Sequence, residues 1–169
     1  SAPNDEAERE ALLSSLLNFS TPSTLLWSIN HTITDISVGD ETRIINGSGF
    51  IEETIADYRY HISPNAFFQT NSFAAPLLLN TVKTFCGDLS DKTLLDLYCG
   101  TGFFSVALAD QAKRVVGVEL VEEAIKDATE NALLNGLTNV EWITASMEDF
   151  DWAIYHADVI ILDPPRSGM

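Results

Sequence analysis

One glycine turn constrains the fold of this chain more than any other feature. Residues 94–104 read L-L-D-L-Y-C-G-T-G-F-F, an apolar strand that ends in an acid and runs through glycines into a helical pattern. Gly100 and Gly102 permit positive φ and bring bare backbone N–H groups close to a ligand, and the helix N-terminus beyond them offers partial positive charge. The turn therefore indicates an α/β fold with a ligand near Asp96, Gly100 and Gly102.

The remainder of the chain after residue 64 alternates helical patterns with apolar strands, which predicts parallel βαβ units. The predicted helix that begins at residue 122 stops at Asn135-Gly136, a pair typical of a left-handed C-cap. In the earlier helix, Pro76 is tolerated only because it lies near the first turn. Asn71 or Ser72 is the expected cap of the helix that contains Pro76. Predicted strands are 93–98, 114–119, 140–144 and 159–162, and predicted helices are 71–85, 103–110 and 122–135.

A different pattern precedes residue 64. Apolar residues at spacings of three and four predict a helix over 4–19, capped by Asn4 or Asp5. Short β-branched and aromatic runs follow, separated by turn residues, and they predict a small antiparallel β lobe. These runs are 25–29, 42–45, 50–55 and 58–62. We expect two domains, residues 1–63 and residues 64–169.

Charge and cysteine content exclude several classes of protein. Nine Lys and Arg against 25 Asp and Glu give a formal charge of −16, so we expect this chain to hold RNA only weakly by itself. No apolar run approaches the roughly 20 residues that span a membrane, and the expected location is the cytoplasm. Cys86 and Cys99 lack metal-ligand spacing, so we expect neither a zinc site nor a disulfide scaffold.

An acid at the tip of the next strand strengthens the prediction of a nucleoside ligand. Glu119 follows Gly102 by 17 residues and can accept hydrogen bonds from both ribose hydroxyls. A dinucleotide site would use the same acid, but it prefers a third glycine where this chain has Ser105. Asp96 also suits a cationic ligand with a free amino group better than a pyrophosphate, which it would repel. The pattern favours S-adenosylmethionine, with NAD as the alternative.

The last apolar strand ends in Asp163-Pro164-Pro165. Two prolines fix φ near −65° and cannot continue a ladder, so Asp163 is expected on a rigid loop at the carboxyl edge. In a sheet of order 3-2-1-4 this loop adjoins the Gly100 loop, where ligands bind. An ordinary strand-terminating turn is the alternative interpretation of this segment.

Five segments together resemble the RNA 5-methyluridine (uracil-5-)methyltransferases in order and spacing. They read F-F-Q-T-N from residue 67, D-L-Y-C-G-T-G-F-F from residue 96, G-V-E from residue 117, N-A-L-L-N-G from residue 131 and D-P-P-R-S-G from residue 163. The resemblance implies a Rossmann-like class I methyltransferase sheet, incomplete on its C-terminal side, behind a small α+β lobe that resembles part of the family's central, RNA-binding-type domain. It also implies a cofactor pocket lined by Gln69, Tyr98, Glu119 and Asp163. Two residues depart from some relatives, Phe103 in place of asparagine and Ser146 in place of asparagine near the adenine.

The resemblance further implies methyl transfer from S-adenosylmethionine to carbon 5 of a uridine in tRNA or rRNA. In that family a cysteine thiolate adds to carbon 6 of uracil and a glutamate removes the carbon 5 proton. Both residues lie beyond the D-P-P-R motif, so we expect the catalytic residues beyond Met169 and an inactive isolated chain that supplies the cofactor pocket. Cys99 falls in the cofactor loop instead. RNA would then be held by the parent protein.

Three further expectations follow from the same segments. The strand 159–162 would form an exposed apolar edge, which predicts self-association there. An amino-methyltransferase that acts on an exocyclic nitrogen is the alternative enzyme, although its motif usually ends in an aromatic residue where this chain has Arg166. A catalytically silent S-adenosylmethionine-binding module is the alternative from another class.

Overall fold

The chain forms two compact units in a computed structural model that describes residues 5–29, 41–64, 66–69 and 71–165. The first unit comprises Ser1–Ile51 with Ser63–Asn65, and the second comprises Glu52–Ile62 with Ala66–Met169. Within the described ranges, none of the helices has the length and apolar character that crossing a bilayer requires.

In its described residues the first unit contains one helix and one strand pair. Helix α1 spans Glu6–Phe19, and the Asp5 carboxylate caps it by accepting a hydrogen bond from the Ala7 N–H at 2.8 Å. Strands β1 (Thr24–Ile29) and β2 (Glu41–Gly47) pair antiparallel. The predicted helix and strands are confirmed here, with Asp5 as the cap.

Strands β3 (Ile51–Ile55) and β4 (Tyr58–Ile62) form a second two-stranded sheet of their own. Ala56 and Asp57 connect them, and Ala56 takes a φ of 53°. The four predicted strands of the lobe therefore belong to two separate sheets, and Glu52–Ile62 lies in the second unit. The domain division expected between residues 63 and 64 stays a prediction.

Helix α2 spans Ala75–Cys86, with Pro76 in its first turn as expected. The predicted start near residue 71 is wrong by four residues, because the Asn71 side chain caps a separate turn. Its Oδ1 accepts hydrogen bonds from the Phe73 N–H at 3.1 Å and the Ala74 N–H at 3.0 Å. The predicted cap is therefore wrong for α2, whose N-cap residue is Ala74 and carries no side-chain cap hydrogen bond.

The main sheet has four parallel strands, β5 (Thr93–Leu97), β6 (Arg114–Glu119), β7 (Val140–Thr144) and β8 (Val159–Leu162). Their order is β7-β6-β5-β8, which confirms the predicted order 3-2-1-4 and the α/β class. Helix α3 (Phe103–Ala109) connects β5 to β6 and helix α4 (Glu122–Leu134) connects β6 to β7. In the described part of the chain β8 pairs with β5 alone, and self-association at that edge stays a prediction.

The core explains why β5 and β6 are central. Alternate residues of each strand point to opposite faces, so Leu94 and Val115 pack into one apolar cluster while Leu95 and Val116 pack into another. Every residue of α3 is buried. Gly136 takes a φ of 70° just after α4, which confirms the left-handed C-cap. The carboxyl ends of β5 and β6 are thereby fixed side by side.

Candidate functional site

The glycine loop, residues 98–102, is left-handed at three of its five residues. Tyr98, Gly100 and Gly102 have φ values of 62°, 53° and 82°. A Cβ placed on Gly102 would lie 2.7 Å from the Trp142 ring, so no larger residue fits there without displacing that ring. The loop is therefore a tight turn that leads β5 directly into α3.

Asp96 lies beneath this loop and is fully buried. Its Oδ2 accepts hydrogen bonds from the Ser105 N–H at 3.0 Å and the Ser105 hydroxyl at 2.6 Å. Its Oδ1 is buried and has no hydrogen-bond partner among the described residues. Burial raises the pKa of Asp96 to about 7, the Ser105 hydrogen bonds oppose this rise, and the charges of Asp163 and Glu119 add to it.

Glu119, at the tip of β6, is held by three backbone amides. The Gly100 N–H donates to its Oε2 at 3.1 Å, and the Leu120 and Val121 N–H groups donate to its Oε1 at 2.8 and 3.0 Å. Its side chain thus bridges the glycine loop and the segment that begins α4. The structure therefore brings Glu119 and Gly100 together, and their role in binding a ligand stays a prediction.

Ser146 follows β7 by two residues and is half-buried. Its hydroxyl accepts a hydrogen bond from the Glu148 N–H at 3.3 Å. The preceding Ala145 N–H donates to the Glu119 carbonyl at 3.0 Å, so the turn that carries Ser146 adjoins the tip of β6. Ser146 therefore lies at the same carboxyl edge as Glu119.

Gln69 belongs to a segment that an aromatic cluster anchors. The Phe68 ring packs 5.2 Å from the ring of Tyr60 and 5.7 Å from that of Phe103. The Phe67 carbonyl lies 4.0 Å from the position of a Cβ on Gly100. Gln69 is half-buried and follows Phe68 directly, so the backbone that carries it runs beside the glycine loop. Thr70, the next residue of that motif, lies outside the described residues.

Asp163 follows β8, whose Leu162 pairs with Leu97 of β5. It is exposed, and it is close enough to raise the pKa of Asp96 through its charge. The two acids and Glu119 therefore share one edge of the sheet. Arg166, the motif residue that separates the two enzyme hypotheses, lies outside the described residues.

The two cysteines do not have the environment of a nucleophile. Cys86 and Cys99 are both buried, and burial raises the pKa of each thiol. The Cys99 N–H donates to the Val118 carbonyl at 3.0 Å, which ties the glycine loop to β6. In the described ranges no group of three His, Cys, Asp or Glu side chains could hold a metal ion.

Sequence reasoning missed three residues that support the site. In the sequence Ser105 marks only the place of a missing third glycine, yet in the structure it is the hydrogen-bond partner of Asp96. Asn131 and Tyr60 connect the β3–β4 hairpin to the loop and to α3. The repeated Asn in N-A-L-L-N, four residues apart on one helix face, was the available signal for Asn131.

Comparison with known proteins agrees with this geometry. A family model described as tRNA (Uracil-5-)-methyltransferase matches residues 23–169. A protein of Clostridium tetani named as an uncharacterized RNA methyltransferase is 42% identical over 146 residues, which are 86% of this chain and 32% of that protein. One of Nanoarchaeum equitans, named likewise, is 40% identical over 87% of this chain and 32% of its own length. The chain spans about a third of the length of the curated relatives it matches.

A solved structure shares both the fold and substantial sequence. The Pyrococcus abyssi tRNA (uracil-54, C5)-methyltransferase, in complex with S-adenosyl-L-homocysteine, is similar with a TM-score of 0.75 and 35% identity over 89% of this chain and 37% of that chain. The M. jannaschii tRNA m1G37 methyltransferase has a TM-score of 0.57 and 16% identity over 87% of this chain and 42% of that chain, and this likeness concerns the fold alone.

Proposed function

The chain belongs to the tRNA (uracil-5-)-methyltransferase family, and we propose that it binds S-adenosylmethionine at the carboxyl edge of its parallel sheet. It supplies the cofactor pocket of an RNA methyltransferase that transfers a methyl group to carbon 5 of a uridine. One observation carries this proposal: the Glu119 carboxylate accepts a hydrogen bond from the Gly100 N–H, in the loop that lies above the buried Asp96. The S-adenosylhomocysteine complex of the similar Pyrococcus abyssi enzyme supports it.

Glu119 is the proposed ligand of the ribose. A carboxylate offers about four acceptor positions, and two amides occupy Oε1 while one occupies Oε2. Oε2 therefore accepts one ribose hydroxyl without displacing a backbone amide. Such a charge-assisted bond contributes about 1.5–3 kcal/mol. A second ribose hydroxyl bond would have to displace an amide or share its oxygen.

Asp96 is the proposed electrostatic partner of the ligand's α-ammonium group, the positive charge that S-adenosylmethionine and S-adenosylhomocysteine share. Its Oδ1 has no donor in the described part of the chain, and its neutral form is favoured by burial. A cation held by the glycine loop would favour the ionised form, because opposite charges attract strongly where water is excluded. Tyr98, Gln69, Ser146 and Asp163 are proposed to line the pocket around the nucleoside and the amino-acid part of the cofactor.

Neither cysteine supplies the nucleophile in this proposal, since both thiols are buried with raised pKa values. The role assigned to this chain is to bind and orient the methyl donor. S-adenosylmethionine itself supplies the electrophilic methyl group. Binding of the RNA and attack on the uridine are assigned to residues in the rest of the parent protein.

Calorimetric titration with S-adenosylhomocysteine tests the site. We expect binding by the wild-type chain and a loss of at least tenfold in affinity in Glu119→Ala. Glu122→Ala is the matched control, because that carboxylate is exposed and pairs only with Lys126 in the described residues. Binding of NAD in place of S-adenosylhomocysteine, or equal affinities in the two variants, would refute the proposed site.

The product of a methylation assay tests the reaction. Chain and tRNA are incubated with radiolabelled S-adenosylmethionine, and the digested nucleosides are separated by chromatography. We expect cofactor binding without transfer for this chain and 5-methyluridine for the parent protein. A labelled exocyclic amine from the parent protein would instead support the alternative enzyme, and no transfer by the parent would support a silent binding module.

A further inference from the structure

A fully buried asparagine links the β3–β4 hairpin to the glycine loop. The Asn131 side chain on α4 accepts a hydrogen bond from the His61 N–H at 2.7 Å and donates to the His61 carbonyl at 3.2 Å. It also donates to the Thr101 carbonyl at 3.1 Å, inside the glycine loop. One carboxamide therefore holds both β4 and the loop.

The peptide that Asn131 holds is fixed at its other end as well. The Gly102 N–H, which shares a peptide plane with the Thr101 carbonyl, donates to the Cys99 carbonyl at 2.9 Å. The plane between the two residues consequently has one orientation only. A glycine-containing loop can adopt many backbone conformations, and ordering it on binding costs entropy. Because these hydrogen bonds already restrict the loop in the free chain, they lower the entropic cost of binding.

The hairpin reaches the same region through Tyr60. This residue is fully buried, its ring packs against those of Phe68 and Phe103, and its hydroxyl donates to the Phe103 carbonyl at 3.0 Å. Phe103 is the first residue of α3, directly after Gly102. The carbonyls on both sides of Gly102 are thus held, that of Phe103 by Tyr60 of the hairpin and that of Thr101 by Asn131 of α4.

Asn135 provides an internal comparison one helical turn later. Its side chain accepts from the Arg59 N–H at 3.0 Å and donates to the Arg59 carbonyl at 2.7 Å. Its remaining hydrogen bond goes to the Asn131 carbonyl at 2.7 Å within α4. The two asparagines therefore form the same pair of hydrogen bonds with the β4 backbone, but Asn131 alone of the two also binds the glycine loop.

We propose that Asn131 and Tyr60 are positioning residues for the cofactor, through which the β3–β4 hairpin holds the glycine loop in its ligand-binding shape. The inference rests on the proposed function, since it assigns these residues to the same pocket. It makes the hairpin a part of the cofactor site even though the glycine loop and Glu119 are far from it in sequence. Neither side chain needs to touch the ligand.

The test compares Asn131→Ala with Asn135→Ala by S-adenosylhomocysteine calorimetry and urea unfolding. Both variants lose two side-chain hydrogen bonds to the β4 backbone and should be destabilised. Only Asn131→Ala should bind S-adenosylhomocysteine at least tenfold more weakly. Asn135→Ala should stay within about twofold of wild type. Hydrogen exchange of the Gly102 amide should accelerate in Asn131→Ala by more than its loss of unfolding free energy accounts for, whereas in Asn135→Ala the two changes should match.

A second pair of variants keeps the test decisive if Asn131→Ala does not fold. Tyr60→Phe removes only the hydroxyl that donates to Phe103 and should weaken binding about threefold or more. Tyr58→Phe is its control, because that hydroxyl donates to Asp110 at 2.8 Å instead. Equal affinities within each pair would overturn the inference while leaving the cofactor site intact, whereas no binding by the wild-type chain would overturn the proposed function itself.

Discussion

Asp96 and Glu119 are acids on neighbouring parallel strands, but they differ in burial and in hydrogen-bond partners. Glu119 ends β6 and is only half-buried, with both oxygens accepting backbone amides. Asp96 lies one residue inside β5, where it pairs in register with Gly117 and Ile161 and is fully buried. One of its oxygens has no partner in the described residues.

The difference teaches that distance from the strand tip decides what an acid can do at this edge. At the tip, water and backbone amides stabilise the charge, so Glu119 is ready to accept a neutral hydroxyl. Inside the strand the charge is costly, so Asp96 favours its neutral form until a positive charge arrives. The five predictions below test this contrast, beginning with the largest expected effect.

Removing each acid should affect folding unequally. Asp96→Ala leaves the buried Ser105 N–H and hydroxyl without an acceptor, at a cost of about 1–3 kcal/mol each. We expect a loss of about 2–4 kcal/mol in the free energy of unfolding at pH 6, against about 1 kcal/mol for Glu119→Ala, whose amides can bond to water. Urea unfolding measures both, and equal losses would contradict the contrast.

Changing only the charge of Asp96 should separate binding from folding. Asp96→Asn keeps an acceptor for Ser105 and removes the charge, so the chain should be at least as stable as wild type at pH 8. Two unit charges roughly 6 Å apart attract by about 3 kcal/mol at an effective dielectric constant near 20. Affinity for S-adenosylhomocysteine should therefore fall roughly thirtyfold to hundredfold by calorimetry. Asp88→Asn, at an exposed carboxylate, is the control and should bind like wild type.

Binding should also depend on pH through Asp96. The ligand's α-ammonium group favours the ionised carboxylate, so affinity should fall about tenfold for each pH unit below about 7, or about 1.4 kcal/mol per unit. Asp96→Asn should remove this slope. Calorimetry between pH 5 and pH 8 gives the profile, and a flat wild-type profile would show that Asp96 does not titrate on binding.

The unliganded chain should show the opposite dependence in its stability. The pKa of Asp96 in the folded state is raised from 3.8 to about 7, so the folded state binds this proton more tightly than the unfolded state does. The contribution of Asp96 to the free energy of unfolding is fully present below about pH 4 and is lost as pH rises through 7. Urea unfolding of wild type beside Asp96→Asn isolates this contribution.

Much of the sheet could be predicted because its signals are local. Apolar runs bounded by turn residues gave the bounds of β6, β7 and β8, and the glycine turn gave the start of α3. The predicted strand 93–98 includes Tyr98, but Tyr98 lies outside β5 because its positive φ begins the glycine loop. Strand residues do not take that conformation.

The support of the site could not be predicted from spacing alone. Asn131 bonds to His61, 70 residues earlier in the chain, and Tyr60 bonds to Phe103, 43 residues later. Such pairs depend on how the hairpin meets α4 and α3, which no local period encodes. Ser105 is a subtler case, since its bond to Asp96 spans nine residues but requires knowing that the acid is buried. The sequence therefore predicts which residues form the glycine loop, but it does not predict which side chains hydrogen-bond to them.

Ser105→Ala should give the smallest effect and the finest test of the contrast. The substitution removes the hydroxyl bond at 2.6 Å and keeps the backbone bond to the same oxygen. Because that hydroxyl bond lowers the pKa of Asp96, its loss should move the midpoint of the binding profile upward by about one pH unit. Thr129→Ala, which removes an exposed hydroxyl bond within α4, should leave the midpoint unchanged. A midpoint that moves downward, or not at all, would mean that the ionised form of Asp96 does not depend on Ser105, and that burial alone distinguishes it from Glu119.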